Sequence, residues 1–204
     1  LFDYIRGSDS LRRNTLILVC SDNGPENGAG SAGPFRGFKT MLYEGGIRSS
    51  LVAWGPGLLD ATNAGTVNRT SVFSAIDLVP TVLGIADVEV SDDVRFDGEA
   101  LEHVLLGSSD ASRSAPLYFR RPPDRDTFYG IDNLPDLAVR DGRWKLLCEY
   151  DGSRAQLYDV LADCGETTDV AAQNHDVVDR LTKGLLAWHA GLPEDNGATY
   201  ANRT

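Results

Sequence analysis

Residues Thr15 to Arg48 read TLILVCSDNGPENGAGSAGPFRGFKTMLYEGGIR, and the rest of the chain is best understood from this stretch. Leu16 to Val19 is a fully apolar run of strand length. It stops at Ser21-Asp22-Asn23-Gly24, where an acid and an amide sit side by side. Ligands of open α/β sheets bind just beyond the carboxyl ends of strands, so this is where chemistry is expected. The loop that follows carries Gly24, Gly28, Gly30, Gly33 and Gly37, with Pro25 and Pro34, before Arg36 and Lys39. Such glycine density points to backbone held close to something, or to conformations closed to other residues. Ile47 to Trp54 then reads as a second strand, ended by Gly55-Pro56-Gly57. Strand, long loop and strand together form a scaffold for a loop-borne site.

The 204 residues can bury a real core, and 42% hydrophobic with 24% charged residues is an ordinary globular composition. The longest apolar runs are strand-sized, so no segment of the sequence spans a membrane. The net charge of -11 is spread evenly, about -6 up to Ala115 and about -5 after it. That evenness describes a solvated acidic surface and argues against a nucleic-acid groove. Leu1-Phe2-Asp3-Tyr4-Ile5-Arg6 reads like the inner end of an amphipathic helix, so the chain is expected to be a portion of a longer polypeptide. Cys20, Cys148 and Cys164 lack metal-ligand spacing. Cys20, at the end of an apolar strand, is expected to be a buried, inert thiol. A hairpin around Asp151-Gly152 would set Cys148 opposite Leu157, which disfavours a Cys148–Cys164 disulfide.

Further along, Val67 to Phe73 alternates as a short strand or extended entry. Asp77 is expected to cap a helix over Leu78 to Ala86, with Pro80 tolerated in its first turn. Ala100 to Leu106 reads as a short helix, Leu117-Tyr118-Phe119 as a strand, and Arg120 to Pro135 as a long polar loop. Leu137–Arg140, Trp144–Cys148 and Gln156–Asp159 are strands joined by Asp141-Gly142 and Asp151-Gly152, the pattern of an antiparallel meander. Val177, Leu181, Leu185 and Trp188 form the apolar stripe of a helix that would cover it, begun at Asn174 and stopped by Gly191 and Pro193.

Asp22 and Asn23 are hard oxygen donors, suited to Ca²⁺ or Mg²⁺ and ill suited to soft metals. Two adjacent ligands do not complete a shell, so partners from elsewhere are required. Lys39 is a point charge able to reach an anion held by such a metal. The plain alternatives stay open on the residues alone: Asp-Asn-Gly after a strand is also an ordinary turn, and a loop lysine is commonly just solvated.

The succession strand, Ser-Asp-Asn-Gly, Gly-Pro-x-Arg-Gly-x-Lys and Tyr-Glu-Gly-Gly-Ile-Arg closely resembles the C-terminal half of type I sulfatases, within the alkaline phosphatase superfamily. The likeness continues through Ile76-Asp77-Leu78-Val79-Pro80-Thr81-Val82-Leu83, Asp97-Gly98-Glu99-Ala100-Leu101, Val139-Arg140-Asp141-Gly142-Arg143-Trp144-Lys145-Leu146, Leu157-Tyr158-Asp159 and Trp188-His189. It implies an α/β fold. Residues 1–115 would be the C-terminal portion of an alkaline-phosphatase-like sheet domain, and residues 116–204 a small α+β subdomain with an antiparallel sheet and a closing helix.

The resemblance further implies that Asp22 and Asn23 are calcium ligands and that Lys39 contacts the sulfate. Glu44, Gly45, Gly46 and Arg48 match a structural motif in which Glu44 and Arg48 pair with each other or with the backbone. Sulfate-ester hydrolysis, a sulfated small molecule or glycan as substrate, and a periplasmic or secreted location are the corresponding expectations. The family's nucleophile is a formylglycine made within Cys/Ser-x-Pro-x-Arg, and no such motif occurs here; Ser114-Ala115-Pro116-Leu117-Tyr118 comes nearest and lacks the arginine. That cofactor residue and the remaining calcium ligands are expected upstream of Leu1, on a missing N-terminal half that would be this chain's partner. Alone, the chain is expected to be inactive. His103, His175 and His189 map to no catalytic position and read as surface or packing histidines.

Arg120, Arg121 and Arg125 form a cluster suited to sulfate or carboxylate recognition, with pairing to Asp124, Asp126 or Asp132 an equal alternative. Two other functions remain: a phosphodiesterase or phosphonate hydrolase of the same superfamily, and a non-catalytic domain that binds sulfated glycans.

Overall fold

The computed structural model describes residues 1–121, 131 and 133–193. These fall into two compact units: Leu1–Cys20 with Ser50–Ala115, and Ser21–Ser49 with the described part of Pro116–Thr204. The stretch that follows the first strand therefore packs with the C-terminal residues.

In the first unit, helices α1 (Phe2–Arg6) and α2 (Asp9–Asn14) lead into β1 (Ile17–Cys20). Ser8 caps α2, its hydroxyl accepting from the Leu11 amide. Strand β1 pairs antiparallel with β2 (Leu51–Trp54), Val19 facing Val52 and Cys20 facing Leu51. Ile47 belongs instead to α3 (Glu44–Ile47) in the second unit, which shortens the expected strand. Helix α4 (Leu78–Ile85) lies in the first unit. The expectation of a buried first strand is corrected: Val19 and Val52 are more than half exposed, and Cys20 is an exposed free thiol. An apolar run reports what a strand could bury, and among the described residues nothing covers this end of the ribbon.

The Asp77 carboxylate does not bond an amide of α4. Itself fully buried, it accepts from the Ser74 amide at 2.8 Å, from the Glu99 amide at 2.9 Å and from the Arg113 guanidinium at 2.8 Å. Thr81, buried in the first turn of α4, accepts from the Leu101 amide just before α5 (Glu102–Leu105). Val67 to Phe73 forms no strand and bends at Thr70, where the Asn68 side chain accepts from the Thr70 and Ser71 amides.

The second unit is built on a four-stranded antiparallel meander, β3 (Leu117–Arg120), β4 (Leu137–Asp141), β5 (Trp144–Cys148) and β6 (Gln156–Asp159), in that order. Gly142, at φ +56°, makes the tight β4–β5 turn where Asp141 faces Trp144. The β5–β6 connection is longer, so Leu146 faces Leu157 while Cys148 faces Leu137; the expected Cys148–Leu157 pairing is thereby corrected. All three cysteines are free.

Helix α6 (His175–Ala190) covers one face of the meander. Leu181 and Leu185 pack there on Leu137, Val139, Leu146, Cys148 and Leu157, with Val177 and Trp188 at the margin, as the apolar stripe predicts. Fully burying each leucine contributes about 1.5–3 kcal/mol. The opposite face is not left to water. Ala138, Leu147 and Tyr158, which alternate with the first set along the strands, pack on Met41, Leu42 and Tyr43 from the segment 21–49. No described helix is long and apolar enough to cross a membrane.

Candidate functional site

The site is a corner made by two passes of backbone within the second unit. Gly24, directly after Asn23, donates its amide to the Gly46 carbonyl at 2.9 Å. The approach is so close that a Cβ at Gly24 would lie 1.9 Å from the Gly45 carbonyl oxygen. A Cβ at Gly46 would meet the Met41 carbonyl oxygen at 2.0 Å and one at Gly45 the Gly37 carbonyl oxygen at 2.4 Å, so the two glycines of Tyr-Glu-Gly-Gly are demanded by backbone contact. The Lys39 amide donates to the Pro25 carbonyl at 3.0 Å, which draws the lysine beside the segment immediately after Asp22-Asn23.

Asp22 is exposed and Asn23 half-buried. Neither side chain makes a hydrogen bond or ion pair among the described residues. They are therefore uncommitted oxygen donors, the chemistry a hard cation takes. No group of three or more His, Cys, Asp or Glu side chains converges on a metal position among the described residues. The Lys39 ammonium, about half exposed, lies 3.3 Å from the Glu26 carboxylate. Such an exposed pair is worth about 0–1 kcal/mol and is readily exchanged for a stronger anion.

Beneath the corner lies a buried ionic cluster that sequence reasoning missed. Lys145, fully buried on β5, places its ammonium 3.1 Å from a Glu44 carboxylate oxygen and 2.9 Å from a Glu166 oxygen. Glu166 also accepts from the Glu44 amide at 2.7 Å. The expected Glu44–Arg48 pair is present at 3.4 Å, and Arg140 joins it at 3.6 Å. Burial alone would raise the Glu44 pKa, but Lys145, Arg140 and Arg48 together outweigh it and hold the pKa below the usual range. Glu166 goes the other way: burial raises its pKa against the pull of Lys145. Arg36 stacks over the Tyr43 ring at 3.9 Å and donates to the Tyr158 hydroxyl and the Glu166 carbonyl. Lys145 alternates with Leu146, and both faces of its strand are apolar outside this position; that was the available sign that the lysine lies inside.

Two of the three arginines of the cluster lie among the described residues. Arg120 is the last residue of β3, opposite Leu137, and so lies outside the expected loop. Arg121 pairs at 2.6 Å with Asp136, a partner outside the expected set. Arg125, Asp124, Asp126 and Asp132 lie outside the described residues. His103 and His175 are exposed, and His189 stacks on Tyr150.

The Sulfatase family model matches residues 2–88. A protein of Formosa agariphila described as a sulfatase is 28% identical over 193 residues, covering 89% of this chain and 34% of its own length. Human arylsulfatase A is 29% identical over 183 residues, covering 87% and 33% respectively. The chain thus spans about a third of the length of these curated relatives. Among solved structures, Ps i-CgsB superposes with a TM-score of 0.75 at 25% identity, covering 92% of this chain and 39% of that one; the same protein has been solved with k-i-k-neocarrahexaose. The phosphonate monoester hydrolase of Agrobacterium radiobacter gives a TM-score of 0.58 at 24% identity, covering 93% and 37%, a likeness of fold alone. By motif, fold and relatives, the chain is a sulfatase-like α/β protein matched over part of the sulfatase length.

Proposed function

We propose that this chain is part of a calcium-dependent enzyme that hydrolyses a sulfate ester. Asp22 and Asn23 hold the cation by their side-chain oxygens, and Lys39 exchanges Glu26 for the sulfate. The observation that carries this reading is the uncommitted donor pair next to a loosely paired lysine, at the end of an apolar strand. Calcium, when bound, supplies positive charge where negative charge develops on the sulfate oxygens, commonly the largest contribution to such catalysis. The chain's own part is to fix two ligands on a rigid corner and to bring one ammonium to the anion. With no Cys/Ser-x-Pro-x-Arg in these 204 residues, the formylglycine nucleophile comes in this reading from outside them, and the chain alone does not turn over substrate.

A sulfated glycan is the substrate class favoured by the k-i-k-neocarrahexaose bound to the similar Ps i-CgsB, and a periplasmic or secreted location accords with that class. The fold likeness to a phosphonate monoester hydrolase supports a second reading, phosphonate or phosphodiester hydrolysis on the same metal corner. Assays of the full-length protein on an aryl sulfate and an aryl phosphonate, with and without a calcium chelator, decide between them. Chelator-sensitive release from the sulfate is expected. Preference for the phosphonate would move the assignment to the second reading, and binding of sulfated glycan without turnover of either ester would make the protein a non-catalytic binder.

A further inference from the structure

We propose that Lys145 is a positioning residue for the corner: it clamps the segment bearing Asp22, Asn23 and Lys39 onto the C-terminal sheet and thereby sets the calcium and sulfate geometry. The inference rests on the calcium reading above. Arg140 and Lys145 face each other across β4 and β5, on the same side as Tyr158 of β6. Two cations directly opposite one another repel, and the sheet keeps them only by receiving carboxylates from elsewhere. One is Glu44, at the start of α3. The other is Glu166, held fully buried in a left-handed conformation at φ +51°, a strained placement for a residue with a side chain.

From this cluster the connection to the corner is short and continuous. Glu166 accepts from the Glu44 amide. The next residue, Gly45, donates to the Arg36 carbonyl at 2.7 Å, three positions before Lys39, and Gly46 accepts from Gly24, the neighbour of Asn23. Arg36 returns to the sheet through Glu166 and Tyr158. Lys145 thus holds, through Glu44 and Glu166, the Gly45-Gly46 pass on which the Gly24 amide is hydrogen-bonded. A well-packed apolar side chain at this site would commonly give equal or greater stability, so a buried cation between two carboxylates points to orientation as its contribution. Residues that orient metal ligands in this indirect way commonly change metal affinity or activity about 10–100-fold when replaced.

The test uses the full-length protein as wild type, Lys145→Met, Glu166→Gln and, for reference, Asp22→Ala. Ca²⁺ alone is titrated while the thermal transition is followed, and kcat and KM are measured on an aryl sulfate. Lys145→Met is expected to raise half-saturating calcium about tenfold or more and to lower kcat by a similar factor, with KM changed much less. Glu166→Gln, which keeps the shape and an acceptor for the Glu44 amide, is expected to shift both in the same direction by a smaller factor, and carries the test if Lys145→Met does not fold. The inference is overturned if either variant lowers only the melting temperature, leaving calcium half-saturation and kcat at wild-type values while Asp22→Ala loses both. If Asp22→Ala leaves calcium binding intact, the ligand assignment fails, and the inference with it.

Discussion

Replacing Gly24 by alanine tests the corner with a single methyl group. The added Cβ would lie 1.9 Å from the Gly45 carbonyl oxygen, 2.8 Å from its carbon and 2.9 Å from the Gly46 Cα, all backbone atoms with no rotamer to change. One pass of chain must retreat by about an ångström to restore ordinary contact, and the 2.9 Å hydrogen bond from the Gly24 amide to Gly46 goes with it. Overpacking of this kind costs about 1–3 kcal/mol and the lost bond about 1 kcal/mol more. Asp22 and Asn23 move with Gly24, so calcium affinity should fall together with stability. Gly28→Ala is the matched control. Gly28 has φ +76°, and a methyl added there would meet nothing within 4 Å, so it should cost only the left-handed penalty, about 1–2 kcal/mol, and leave calcium half-saturation alone. Thermal unfolding and calcium titration of the two variants in the full-length protein provide the comparison. A Gly24→Ala protein with wild-type melting temperature and calcium response would refute the claim that this close approach builds the site.

Other perturbations probe separate parts of the molecule. Glu26→Gln releases Lys39 from its 3.3 Å pair; substrate KM should fall by up to about fivefold, the equivalent of an exposed pair of at most about 1 kcal/mol, and an unchanged KM would remove Glu26 as a competitor for the lysine. Thr40, next to Lys39, has φ +82° at the third position of the Phe38–Met41 turn, where glycine is preferred, and its hydroxyl is buried without a partner. Thr40→Gly should therefore raise the melting temperature, by the equivalent of about 1–2 kcal/mol, and a fall would contradict the strain. Because the Glu44 pKa is lowered by folding, its stabilisation is complete above the ordinary carboxylate range and disappears as pH falls through the folded value. The deficit of Glu44→Gln, about 3 kcal/mol at neutral pH, should accordingly shrink as pH falls below the ordinary carboxylate range. Glu166, raised instead, contributes the opposite slope, so a deficit that grew on acidification would mean the two roles are exchanged. Burial, aided by Glu149, Asp151 and Asp136, pushes the Cys148 thiol up to about 12; it should resist thiol reagents at mildly alkaline pH until the protein unfolds.

What could be read in advance was what local chemistry encodes. Asp141-Gly142 gives the β4–β5 turn, the Val177–Trp188 stripe gives α6 and its buried face, and the alternation of β4 to β6 gives the meander. The second layer could not be read in the same way, because its contacts join distant residues: Lys145 meets Glu44 across 101 positions, and Arg36 meets Tyr158 across 122. One physical sign was nonetheless present. Leu146 and Leu147 on β5, and Ala138 and Val139 on β4, place apolar side chains on both sides of the sheet, which requires a cover for each. The exposed Cys20 shows the converse, since apolar character at a strand end does not create the neighbour that would bury it. At the corner, residue types alone left Asp22-Asn23 as either a turn or a ligand pair; their uncommitted side chains, locked in place through Gly24 and Gly46, are what favour the ligand pair.

The most direct measurement is the calcium content and aryl-sulfate turnover of the full-length Asp22→Ala protein beside the wild type, with both shown to be folded by their thermal transitions. Loss of bound calcium together with a collapse in kcat is the result predicted. Wild-type calcium stoichiometry with undiminished turnover would contradict the assignment of this corner as the metal site.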